Sequence, residues 1–142
     1  EAIALQDQNL RALIEAYFRF LAREAGSGAV RWGDKTPWNT NHLAAIGRIF
    51  PQARYLWLVR DGRDVALSYV EAGLYSDLSS AAARWVDANR ACARFTRWAP
   101  HTRLVRYEDI VAGPENEFAG IFAWASIWLC LTACCRLPSG TA

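Results

Sequence analysis

The sequence predicts an α/β layered fold with a mainly parallel sheet flanked by helices. Short apolar runs alternate with segments of helical periodicity along most of the chain. The run "ARYLWLV" (53–59) is almost continuously apolar, the pattern of a strand buried on both faces of a parallel sheet. Glycine and proline fall where the pattern changes, at "AGSG", Pro51, Pro100 and Pro114.

Leu10, Leu13, Ile14, Tyr17, Phe18 and Leu21 recur at i, i+3, i+4, i+7, i+8 and i+11, with Arg11, Glu15, Arg19 and Arg23 on the other face. That spacing predicts an amphipathic helix over 3–24, ended by the glycines of "AGSG" (25–28). "AVRWG" (29–33) is expected as a short strand and "NTNHLAAIGRIF" (39–50) as a second helix stopped by Pro51. The strand at 53–59 breaks at "RDGRD", and "VALSYVEAG" (65–73) continues as a helix. After the loop "YSDLSS", the segment "AAARWVDANRACARFTRW" (81–98) reads as a long helix closed by Pro100. "TRLVRY" (102–107) is the third expected strand, and "EDIVAGPENEF" enters a last helix with Pro114 near its first turn.

From Phe118 to Cys135 the chain carries no charge and holds three of its four cysteines. Three readings of this stretch stand: a buried C-terminal helix, an ending altered by a reading-frame shift, and a run that just reaches membrane-spanning length. The expected organisation is a domain over 1–122 and an apolar, cysteine-rich tail over 123–142.

The 142 residues allow one domain at most, burying roughly two-thirds of its unfolded surface. With 53% apolar and 21% charged residues the chain reads as globular. A net charge of +2 is too small to attract nucleic acid by bulk electrostatics, so any anion site must be local. The cysteines form neither a disulfide framework nor a paired metal-ligand spacing, so a reducing cytoplasm and no metal are expected. The opening residues do not read as a secretory leader, and with no methionine even at position 1 the chain is expected to be a piece of a longer product or a processed form.

Two segments are equipped for chemistry at the carboxyl ends of strands, where such sheets bind ligands. "RWGDKTP" (31–37) holds Asp34 and Lys35, the only lysine among 16 basic residues. A compact ammonium can follow a moving charge where a planar guanidinium does so less well. "YLWLVRDGRDVALSY" (55–69) places Arg60 at a strand end and Ser68 two turns into the next helix. A forked cation and a neutral hydroxyl beside a helix entrance suit a phosphate monoester. The plainer readings are a capping pair for Arg60 with Asp61, a helix hydroxyl bonded back to a carbonyl for Ser68, and a surface ion pair for Asp34 with Lys35. Glu108 and Asp109 are expected to organise the following helix. Trp32 and Trp38 are expected either in packing or along an acceptor pocket.

"GDKTPWN", "FPQARYLWLVRDGRDVALSY" and "VRYEDIVAGPENEF" together resemble the sulfotransferases that use 3′-phosphoadenosine 5′-phosphosulfate, over roughly residues 30–122. The resemblance implies a parallel-sheet fold related to the P-loop nucleotide kinases, and that co-substrate without a metal. It implies Asp34 as the base for an acceptor hydroxyl or amine, and Lys35 as the cation at the transferring group. It also implies Arg60 and Ser68 at the 3′-phosphate and Tyr107 near the adenine. The acceptor is left open among a small molecule, glycan, lipid and peptide, and neither nucleic acid nor a membrane is expected as a partner. The family's Gly/Ser/Thr-rich 5′-phosphosulfate loop has no counterpart in these residues, so the fold is expected to be incomplete. Little activity and self-association through exposed apolar edges are expected of the isolated chain. The alternatives are an inactive remnant of such an enzyme and a nucleotide kinase, the latter needing a Gly-Lys-Ser/Thr loop.

Overall fold

The computed structural model describes residues 2–28 and 31–125. The expectations for Ala29, Val30 and the tail from 126 to 142 lie outside the described residues. Along the chain run α1 (Ala2–Glu24), a short 3₁₀ helix (Pro37–Asn41), α2 (Leu43–Ile49), β1 (Tyr55–Val59), α3 (Gly62–Glu71) and α4 (Leu78–Phe95). β2 (Thr102–Arg106), α5 (Tyr107–Ala112) and α6 (Pro114–Ala125) follow. β1 and β2 pair as a parallel two-stranded sheet, the arrangement a strand–helix–helix–strand crossover produces.

Local chemistry sets the helix ends. At the end of α1, Ser27 N donates to Ala22 O and Gly26 N to Arg23 O, while Gly26 takes φ 63°. The same pair of bonds closes α3 at Gly73, φ 69°, from Leu74 N to Tyr69 O and Gly73 N to Val70 O. Only glycine enters this left-handed conformation without steric cost. At the other end of α3 the carboxylate of Asp61 accepts from Arg63 N, and at the start of α4 that of Asp77 accepts from Ser80 N. Pro114 opens α6, where a missing amide hydrogen costs nothing.

The described residues fall into two compact units, one within 2–57 and 61–103 and the other within 58–60 and 104–125. The first is built on α3 against α4, with Ala66 and Ala81 buried. Gly62 lets α3 approach Trp85 so closely that an added Cβ would lie 3.0 Å from its indole. Trp57 Nε1 donates to Asn89 Oδ1 across 3.0 Å, and Asn89 Nδ2 donates back to Trp85 O. Phe95 is buried between the edges of Tyr55 and Trp98, and Gly47 of α2 abuts the same aromatic cluster. α1 packs on α2, with Arg48 donating to Asp7. In the second unit α5 packs on α6, and Val105 and Ile121 are buried.

Two expectations need correction. Residues 31–36, which include the described part of the "AVRWG" strand, form no regular structure. Asp34 accepts bonds from Thr36 and Asn39 instead, and such local bonding competes with a strand ladder. β1 is not buried on both faces: its residues alternate, with Leu56 46% and Leu58 53% exposed. Only one face of the strand is covered within the described residues, so its apolar run exceeds what this packing uses. The remaining elements differ at their bounds: "NTNHLAAIGRIF" divides into the 3₁₀ helix and α2 at His42, α4 starts at Leu78 inside the expected loop, Tyr107 leaves the expected strand to open α5, and the expected last helix divides into α5 and α6.

Candidate active site

Asp34 and Lys35 sit in the extended stretch before Pro37, and both are exposed. The Asp34 carboxylate is held at each oxygen. Thr36 Oγ1 donates to Oδ1 over 2.9 Å, and Asn39 Nδ2 donates to Oδ2 over 2.7 Å. These bonds fix the acid against the turn that follows it, because Asn39 belongs to the Pro37–Asn41 helix. Among the described residues no ion pair joins Lys35 to Asp34 or to another acid. The surface-pair reading is therefore not what the structure contains.

The turn is braced from a distant element. Arg84 of α4 donates from Nη2 to Thr40 Oγ1 at 3.0 Å, and Thr40 Oγ1 donates in turn to Pro37 O. The Arg84 guanidinium also lies over the Trp38 ring, 5.9 Å from its centre. Trp38 is 68% exposed. Trp32 is different: it stacks on Phe18 at 4.1 Å and meets the edge of Phe50, so packing accounts for it.

Arg60 follows β1 directly and Tyr107 opens α5, both within the second unit. The guanidinium carbon of Arg60 lies 5.0 Å from the centre of the Tyr107 ring. The Arg60 Nε is buried, and Tyr107 is 40% exposed. Tyr107 is thus a half-exposed aromatic residue with a cation against its ring. Glu108 and Asp109 occupy the first turn of α5, as expected of helix-organising acids.

In α3 of the first unit, Ser68 is exposed, and its hydroxyl makes no bond back to a carbonyl among the described residues. Asp61 is engaged by Arg63 at Nε and Nη2 as well as at its backbone N. Those bonds, the side-chain ones first, hold the Asp61 carboxyl far below the usual carboxylate range and push Arg63 up. Asp61 is thus the capping acid of the junction, and Arg63 is a partner of its carboxylate.

Thr36, Asn39 and Arg84 were not singled out by sequence. An aspartate two residues before a threonine carries a local signal for the first bond. Arg84 carries none, because its partner lies 44 residues earlier.

Among the described residues there is no cluster of metal-ligating side chains. No described helix is long and apolar enough to cross a membrane. No curated protein matches the chain. No solved structure matches it either. The family model described as "Sulfotransferase family" matches residues 1–128, nine-tenths of the sequence, and the chain belongs to that family.

Proposed function

We propose that the chain binds 3′-phosphoadenosine 5′-phosphosulfate and takes part in moving its sulfuryl group to an acceptor hydroxyl or amine. The observation that carries this reading is the Asp34 carboxylate, held at both oxygens beside a lysine with no ion-pair partner among the described residues. In the transfer, the bond from sulfur to the phosphate oxygen breaks and a bond from sulfur to the acceptor forms. Asp34 takes the acceptor proton, and Lys35 stabilises charge on the sulfuryl oxygens. The departing product is 3′,5′-bisphosphoadenosine.

Arg60 and Ser68 are assigned to the 3′-phosphate from their place in the motif, and the chemistry of a guanidinium and an exposed hydroxyl supports it. Tyr107 is assigned to the adenine from its place in the motif, and an aromatic ring on a half-exposed residue supports it. Membership of the sulfotransferase family favours this reading over the nucleotide kinase. The proposed compartment is the cytoplasm, in keeping with the free thiol of Cys92.

The test is calorimetric titration with 3′,5′-bisphosphoadenosine and with adenosine 5′-phosphate. Tighter binding of the bisphosphate supports the proposal, and equal binding contradicts it. Sulfate transfer from labelled donor is expected to be slow for the isolated chain, whose residues include no Gly/Ser/Thr-rich phosphosulfate loop. Self-association is also proposed, on the exposure of Leu13 at 67% and Tyr17 at 57% on α1. A sedimentation coefficient independent of concentration would refute it.

A further inference from the structure

The Asp34 carboxylate is held by a turn that is weak on its own. Asn39, which donates to Oδ2 at 2.7 Å, belongs to the five-residue 3₁₀ helix Pro37–Asn41. Such helices have poorer hydrogen-bond geometry than α-helices and depend on tertiary packing for their stability. This one begins at Thr36 without a side-chain cap. Its backbone bonds run from Asn39 N to Thr36 O and from His42 N to Asn39 O, each at 3.0 Å. Support comes from α4. Arg84 Nη2 donates to Thr40 Oγ1 at 3.0 Å, and that hydroxyl gives its one proton to Pro37 O at 3.2 Å. The bond from Arg84 therefore docks the turn and orients the hydroxyl that closes it. Arg84 is half-buried, and no acid pairs with it among the described residues. Its guanidinium meets a neutral hydroxyl and the Trp38 ring instead. Taking a cation partly out of water without an opposite charge is unfavourable, so stability alone does not account for an arginine here.

We infer that Arg84 is a positioning residue for Asp34. It keeps the 3₁₀ turn wound through Thr40, and the wound turn keeps the Asn39 amide on the carboxylate. The inference rests on reading Asp34 as the base, and Arg84 itself touches neither substrate nor co-substrate in this account. The second bond on Asp34, from Thr36 to Oδ1, lies within the same loop and moves with it. Asn39 is thus the link from the carboxylate to the turn, and Arg84 the link from the turn to α4. A base must lie within hydrogen-bond reach of the proton it takes. A carboxylate that swings with an unwound turn therefore loses rate even though its charge is unchanged.

Hydrogen exchange in the full chain, followed by NMR, reads this path. Arg84→Met keeps a long apolar stem and removes the donors. In it the His42 backbone amide and the Asn39 side-chain amide should exchange about tenfold faster, the scale of one charge-assisted hydrogen bond. Thr40→Val removes the other partner and should give the same increase. The double variant should exchange no faster than either alone, because both changes break one bond. Arg84→Lys returns a donor and should restore part of the protection. Amides in the middle of α4 should keep their rates in all four. Unchanged exchange at the turn in Arg84→Met, additive effects in the double variant, or equal acceleration throughout α4 would overturn the inference. The slow transfer from labelled donor should lose kcat in Arg84→Met with KM for the donor unchanged. Added to Asp34→Asn, the same substitution should change nothing, and a further loss there would also overturn it. Binding of 3′,5′-bisphosphoadenosine tests the co-substrate reading separately. Its absence from the unaltered chain would remove that reading, while the exchange rates still decide whether Arg84 holds the carboxylate in place.

Discussion

Arg60 and Tyr107 form a cation–π pair within one compact unit, the guanidinium carbon 5.0 Å from the ring centre. The pair joins the end of β1 to the start of α5, the positions to which the 3′-phosphate and the adenine are assigned. Tyr107→Ala should therefore weaken 3′,5′-bisphosphoadenosine binding about tenfold, since it removes both a stacking face and the contact that steadies Arg60. Tyr107→Phe keeps the face and should bind nearly as the unaltered chain does. Equal losses in the two variants, read by calorimetry, would shift the role from the ring to the hydroxyl.

Asp34 is the proposed base, and its two hydrogen bonds are what hold it in position. Asp34→Asn should lower whatever sulfate-transfer rate the chain supports by about 10²- to 10⁴-fold, the usual worth of a positioned base. Bisphosphate affinity should stay unchanged. Asn39→Ala removes one of the two anchors and should reduce the rate less. Transfer from labelled donor that survives Asp34→Asn undiminished would assign the base elsewhere.

Acid stability should follow Asp77. Hydrogen bonds from Ser80, its backbone amide first, hold the Asp77 carboxyl below the ordinary value of 3.8. A lowered native pKa stabilises the fold above the ordinary value, and that stabilisation is lost as pH falls through the native one. Asp77→Asn keeps a capping side chain but no longer titrates, so thermal unfolding should depend less steeply on pH in acid. An unchanged acid limb would show that this cap is uncoupled from global unfolding.

At the alkaline end the sign reverses. Burial pushes the Tyr55 phenol above its ordinary value of 10.0, and its hydroxyl donates to Phe50 O at 2.9 Å. The stabilisation is complete below the ordinary pKa and is lost as pH rises through the raised one. Tyr55→Phe should flatten the alkaline limb, while costing about 1 kcal/mol at neutral pH for the lost bond. Chemical denaturation across the alkaline range checks both.

Gly47 shows how tightly α2 lies on the Phe95 cluster. A Cβ there would stand 2.7 Å from the Trp98 ring and 3.0 Å from that of Phe95. Helix propensity favours alanine, but the overlap forces the Trp98 ring to move against the buried Phe95. Gly47→Ala should destabilise the chain by about 1–2 kcal/mol. Phe95→Ala, at a site only 4% exposed, should cost about 3–5 kcal/mol. A stabilised Gly47→Ala in urea denaturation would mean that Trp98 swings aside freely.

The sequence was most legible where one face of an element is fixed by local pattern. The helical spacing from Leu10 to Leu21 and the run around Trp57 placed α1 and β1 within a few residues. It was less legible where partners come from far along the chain. Nothing near Trp38 indicates that Arg84 will lie over it, and nothing near Trp32 indicates the stack on Phe18. The strand expected around Trp32 failed because Asp34 finds local donors, a competition that apolar pattern does not register. Apolar pattern also overstated the burial of Leu56 and Leu58, since a run of apolar residues reports what a strand can bury rather than what covers it.

The most direct test of the co-substrate assignment is a paired titration of the unaltered chain and Arg60→Ala with 3′,5′-bisphosphoadenosine and adenosine 5′-phosphate. The account predicts that the substitution weakens the bisphosphate about tenfold to a hundredfold and the monophosphate little. Equal losses for the two ligands would contradict the assignment of Arg60 to the 3′-phosphate.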